Sequence, residues 1–153
     1  MDKSKPLKSD DISAFEFVKE SLKGNPTSAI NFDRIQYDYI NENYVIIEYL
    51  MCDEKQFSRG ITPFTSHPNR YFLKNSMKFI SLWKIAQELN ACLYLINYSK
   101  KDTQYENEVL VMKVISIDET KKEPVLSENI KMSRLEFSRW LIKLNSQGFI
   151  KKN

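Results

Sequence analysis

The chain has 153 residues, of which 42% are hydrophobic and 28% charged, and carries a formal charge of +3 at pH 7. That length can close one core, and no apolar run approaches the roughly 20 residues a membrane-spanning helix needs. Glycine occurs only at Gly24, Gly60 and Gly148, which excludes a Gly-rich phosphate loop or dinucleotide fingerprint, and His67 with Cys52 and Cys92 cannot complete a four-ligand zinc site without carboxylates.

Both cysteines sit inside apolar segments, which predicts buried free thiols and a cytoplasmic protein with no membrane partner. The 23 basic residues are spread along the chain, so the charge permits a nucleic-acid partner without requiring one. Lysine far outnumbers arginine, and Asn and Ile are plentiful, a usage expected of an AT-rich bacterial or phage genome.

Residues 1–8 are polar and charged and are expected to be flexible; residues 9–150 form one globular domain. From Ser9, SDDISAFEFVKESLKG places Ile12, Phe15, Val18 and Leu22 on one helical face, with acids in the first turn and Gly24 as C-cap. Two strands follow, NFDRIQYDYI and YVIIEYLMC, joined by Asn41-Glu42-Asn43. Residues 53–74 then run without a steady period. A second helix spans Asn75 to Asn90, with Phe79, Leu82, Trp83, Ala86 and Leu89 at helical spacing.

CLYLINY is apolar on both faces and reads as a buried strand, inside a sheet between the hairpin and the strand EVLVMKVISID. DETKKEPVLSENIK reads as a surface connection. The last helix opens with a capping box from Ser133 to Glu136, carries Phe137, Trp140, Leu141 and Leu144 as a stripe, and ends at Gly148. The expected fold is α/β or α+β, a single domain with a central mixed sheet of about four to five strands flanked by helices.

The hairpin raises the question of Glu48, an acid among Ile46, Ile47, Tyr49 and Leu50. A three-residue turn at Asn41-Glu42-Asn43 sets Ile40 opposite Tyr44, so that Ile35, Tyr37 and Tyr39 share the core face with Val45, Ile47, Tyr49 and Met51. The other face then collects Phe32, Arg34, Gln36, Asp38 and Ile40 against Tyr44, Ile46, Glu48, Leu50 and Cys52. There Asp38 and Glu48 become diagonal neighbours about 7 Å apart, within reach of one Mg²⁺ ion that would polarise a phosphodiester. In the structural alternative, Gln36 hydrogen-bonds Glu48 across the hairpin.

The 53–74 stretch is long for a loop in a compact domain. It holds Arg59, His67, Arg70 and Lys74, a cationic set suited to phosphates, with a packed surface loop as the alternative.

A helix, strands carrying an acid each, a helix and a buried strand resemble the PD-(D/E)XK nuclease superfamily, restriction-endonuclease-like, over roughly residues 10–98. The resemblance implies that Asp38 and Glu48 hold the metal, but Leu50 stands where the family has its lysine. Asp53-Glu54-Lys55, Arg34, or Lys78 or Lys84 from the second helix could supply that cation. The expectation is therefore a nuclease-like domain that binds DNA or RNA, a Mg²⁺-dependent phosphodiesterase or a degenerate inactive relative. Asp38, Glu48 and Lys78 are its catalytic candidates, and Arg59, His67, Arg70 and Lys74 its nucleic-acid contacts. The alternative is a non-enzymatic protein-interaction factor acting through residues 53–74.

Overall fold

The computed structural model describes residues 12–30 and 33–149. Residues 1–8 and the expected start of the first helix at Ser9 lie outside the described residues, as does Phe32. Helix α1, Ile12–Leu22, forms where the 3.6-residue period places it, and the left-handed pair Lys23 and Gly24 (φ 49° and 82°) ends it. None of its residues is buried, however, and Ile12 and Phe15 are 68% and 66% exposed.

The remaining elements are β1 (Arg34–Asp38), β2 (Asn43–Met51), α2 (Glu54–Ser58), a 3₁₀ turn (Pro68–Arg70) and α3 (Phe72–Glu88), followed by β3 (Cys92–Tyr98), β4 (Val109–Ile117), β5 (Val125–Met132) and α4 (Arg134–Ser146). The strands make one mixed sheet in the order β1-β2-β3-β4-β5, flanked by helices, as the sequence leads one to expect. CLYLINY is the central strand, parallel to β2 and antiparallel to β4. Strand β5 is a correction to the sequence reading, which took this stretch for a surface connection. It pairs with β4 from Val109↔Met132 to Ile117↔Val125 across an irregularity between Val114 and Ser116.

Helix α3 covers one face of the sheet, packing Phe72, Phe79, Leu82 and Ala86 on Ile46, Leu93, Leu95, Leu110 and Met112. Helix α4 covers the other, placing Phe137, Trp140, Leu141 and Leu144 on Val45, Ile47, Ile96, Val109 and Val111. Its capping box is formed, with the Ser133 hydroxyl accepting from Glu136 N and the Glu136 carboxylate accepting from Ser133 N. At Gly148 an added Cβ would stand 3.3 Å from Asn145 O and 3.4 Å from Gln36 Nε2, so the close pass of the chain behind α4 needs the missing side chain.

The hairpin register departs from expectation by three residues, because Tyr44 pairs with Tyr37 and not with Ile40. Asp38 causes it. One carboxylate oxygen accepts from Ile40 N at 2.9 Å and Asn41 N at 3.0 Å, and the other from Asn41 Nδ2 at 2.8 Å. This Asx-type cap folds the chain at once after Asp38, with Glu42 left-handed at φ 54°. An odd shift exchanges the faces of one strand relative to the other. Arg34, Gln36 and Asp38 therefore look toward α4, while Glu48 looks toward α3.

Candidate functional site

Because β2 and β3 are parallel, their carboxyl ends open on the same edge of the sheet, where ligands commonly bind in open α/β folds. The 53–74 stretch covers that edge as ordered structure. Asp53 caps α2 through Gln56 N, and His67 caps the 3₁₀ turn through Asn69 N. Asn97, fully buried on β3, donates through Nδ2 to Pro63 O at 3.1 Å and also to Ser66 O. Asn69 exchanges two hydrogen bonds with Val125, at 3.0 and 2.8 Å, and ties the stretch to β5. Lys131 lies 5.3 Å from the Phe64 ring centre, a cation–π contact.

Arg59, Arg70 and Lys74 converge on one cavity of about 400 Å³, with Gln56, Asn69 and Tyr71 also in its wall. The amino end of α3 forms part of the same wall through Phe72, Leu73 and Lys74. Tyr71 caps that helix without a side-chain hydrogen bond, and the first turn carries no acid. Asn75, at φ −126° and ψ 18°, breaks the helix after this first turn, and its Nδ2 donates to Tyr71 O at 3.3 Å. Among the described residues none of the three cations has an ion-pair or side-chain hydrogen-bond partner.

His67 does not join them. Its Nδ1 accepts from Asn69 N at 3.2 Å, so Nε2 carries the proton and faces Ser127 Oγ at 3.1 Å. Burial lowers the histidine pKa, opposed by the charge of Glu123, and the ring stays neutral as a brace between the stretch and β5.

The two acids of the sequence reading do not meet, since Asp38 and Glu48 occupy opposite faces of the sheet. Asp38 is 2% exposed, and although its burial raises the pKa, the bonds from Asn41 and Ile40 outweigh it and lower the value below the ordinary 3.8. Glu48 is 5% exposed, and its Oε1 lies 2.5 Å from Lys78 Nζ while Oε2 is buried without a hydrogen-bond partner. Burial raises the Glu48 pKa, Lys78 opposes the rise, and the nearby charge of Asp33 adds to it. Asp33 itself accepts from Tyr49 N at 2.8 Å.

Gln36 is not the partner of Glu48 either. It donates to Leu144 O at 2.9 Å and accepts from Arg34, whose other donor goes to Asn145. Of the candidates named for the missing lysine position, Lys78 reaches Glu48 and Arg34 lies across the sheet, while in Asp53-Glu54-Lys55 the leading acid is spent as a helix cap.

These donors do not suit Mg²⁺ at the pair read from the sequence. Asp38 uses both oxygens on the turn, and Glu48 is already neutralised by an ammonium. Among the described residues no three His, Cys, Asp or Glu side chains converge as a metal-binding group.

A second cavity of about 240 Å³ adjoins the first and shares Gln56, Ser66 and Tyr71 with it. Lys78 and Asn75 from α3, Cys52 and Asn97 complete its lining. Burial raises the pKa of Cys52 and, more strongly, that of Tyr71, so both remain protonated. Cys52 and Cys92 are free thiols, the first buried and the second half-buried.

Tyr71, Asn75 and Asn97 were not singled out from the sequence. Asn97 had a signal, being the one polar residue inside CLYLINY and close to its carboxyl end. No family model, curated protein or solved structure matches this chain. No helix among the described residues is long and apolar enough to cross a membrane.

Proposed function

We propose that this chain is a nuclease-like domain that binds the sugar–phosphate backbone of nucleic acid without cleaving it. The observation that carries this reading is the convergence of Arg59, Arg70 and Lys74, all unpaired among the described residues, on one cavity. Three cations around one cavity favour a phosphate group, and each guanidinium adds a planar fork that matches its oxygens. Lys78 lines the adjoining cavity, where its charge is taken up by Glu48.

The absence of turnover follows from the partners of the acids. Lys78 neutralises Glu48, and Asp38 closes a turn on the far face, so neither of these two acids is free beside the phosphate track. Free thiols fit a reducing compartment, and a cytoplasmic setting is part of the proposal.

Fluorescence anisotropy with single-stranded DNA and RNA, in Mg²⁺, tests the reading. Binding should weaken with salt at a slope of about −2 for three phosphate contacts, and the strand should be recovered intact. The triple variant Arg59→Ala, Arg70→Ala, Lys74→Ala should lose most of the affinity. Cleavage of the strand, or the same affinity in the triple variant, would contradict the proposal.

A second reading, a protein partner docking on the 53–74 stretch, draws on Leu73 and Met77. They lie on either side of the break at Asn75 and are 91% and 75% exposed. Leu73→Ser with Met77→Ser should leave strand binding unchanged, and a loss of it would transfer the binding surface to this apolar strip.

A further inference from the structure

We infer that Asp33, Glu48 and Lys78 form a proton-operated switch beside the cationic cavity: when Glu48 takes up a proton, Lys78 loses its ionic partner and its ammonium becomes a fourth cation for the strand. The inference rests on the phosphate reading above and adds how binding at that site is regulated.

The geometry carries it. Lys78 stands four residues beyond Lys74, past the break at Asn75, and lines the cavity that adjoins the cationic one. Its side chain is 41% exposed although Nζ lies 2.5 Å from Glu48 Oε1, whose own side chain is 7% exposed. The ammonium can therefore leave the carboxylate for the cavity by rotation of the lysine side chain alone.

The other carboxylate oxygen decides where a proton goes. Glu48 Oε2 is buried with no hydrogen-bond partner, while the Asp33 carboxylate stands close enough to share a proton with Glu48. Two ionised carboxylates so placed repel each other, whereas a protonated Glu48 donates its hydroxyl to Asp33. Asp33 is held in position from its other side, because it accepts from Tyr49 N at 2.8 Å.

Lys78 on α3 and Asp33 ahead of β1 are the charges that act on Glu48. Its neighbour on β3, Leu95, is apolar, and Arg34 on β1 looks toward α4. Burial favours the neutral acid, Lys78 opposes it and Asp33 adds to it, so Glu48 takes up its proton above the ordinary 4.5. Phosphate binding therefore strengthens as the pH falls.

The test measures anisotropy with oligo(dT), whose bases do not titrate between pH 5 and 7.5, over a range of salt. For wild type the salt slope should steepen from about −2 at pH 7.5 toward about −3 at pH 5 as a fourth phosphate contact forms. Glu48→Gln should show about −3 already at pH 7.5, with several-fold tighter binding than wild type. Lys78→Ala should stay at about −2 at both pH values, and Asp33→Asn should move the wild-type step to lower pH. Circular dichroism at each pH checks that the variants are folded, and any one of the three suffices for the comparison. A wild-type slope unchanged by pH, or a pH step that persists in Glu48→Gln or Lys78→Ala, overturns this inference and leaves the phosphate reading standing. Failure of wild type to bind at either pH overturns both.

Discussion

Asp38 and Glu48 are both nearly inaccessible to water, both on the hairpin, and opposite in character. Asp38 spends its two oxygens on three donors of the turn it closes, whereas Glu48 keeps one oxygen on Lys78 and leaves the other unpaired. Their pKa values move in opposite directions for this reason, down for Asp38 and up for Glu48. Burial of a carboxylate is thus no sign of function by itself; what separates a structural acid from one held ready for a ligand is the balance between burial and partners.

The sharpest way to break this comparison is Asp38→Ala. It strands the N–H groups of Ile40 and Asn41 in a part-buried turn and should cost about 3 kcal/mol in urea denaturation, against about 1 kcal/mol for Glu48→Gln. If Glu48→Gln proves the more damaging change, the assignment of roles is reversed.

Next in size is Lys78→Met, which leaves Glu48 without its counter-charge. Breaking a buried pair costs about 3–5 kcal/mol, but a half-exposed lysine and a carboxyl free to take up a proton reduce this to about 2 kcal/mol at pH 7. The penalty should shrink as the pH is lowered, and a pH-independent loss would argue against an ionised Glu48.

His67→Gln sharpens the contrast between bracing and binding in the 53–74 stretch. It removes the link to Ser127 and should lower stability by about 1 kcal/mol while leaving strand affinity unchanged. A marked fall in affinity would return His67 to the phosphate contacts.

The smallest effect is in the pH profile. Asp38 has a folded pKa below 3.8, so its stabilisation is present above that value and is lost as pH falls through the folded pKa. Glu48 has a folded pKa above 4.5, so its contribution is full below 4.5 and is lost as pH rises through the folded pKa. Chemical denaturation from pH 7 down to 4.5 should therefore show a relative gain for wild type over Glu48→Gln, and parallel profiles would refute the raised pKa.

Much of the fold was legible because its elements are locally consistent. Leu93, Leu95 and Ile96 leave no wet side to CLYLINY, and Ser133 with Glu136 marks the start of α4 without ambiguity. Strand β5 was hidden because it is an edge strand whose Ser127, Glu128 and Asn129 read as a loop once pairing with β4 is unknown. The register failed because Tyr39 and Ile40 look like strand residues, while the short-range bonds from Asp38 to Ile40 and Asn41 decide the turn.

At the site, the sequence reading named Arg59, Arg70, Lys74 and Lys78, and these do share two adjoining cavities. It placed His67 with them because a ring between Ser66 and Pro68 shows no sign of its bond to Ser127, sixty residues away. Asn97 showed in the sequence only as a polar residue in an apolar strand, since its meaning lies in which carbonyls its amide faces.

The most direct measurement is an ¹⁵N amide-shift titration of the wild-type protein with a single-stranded oligonucleotide at low salt. The expected result is a set of perturbations confined to Arg59, Arg70 to Lys74 and Lys78, fading as salt is raised, with the Asp38 turn silent. Perturbations centred on α1 or on the turn at Asp38, or none at any strand concentration, would contradict a phosphate-binding cleft at the amino end of α3.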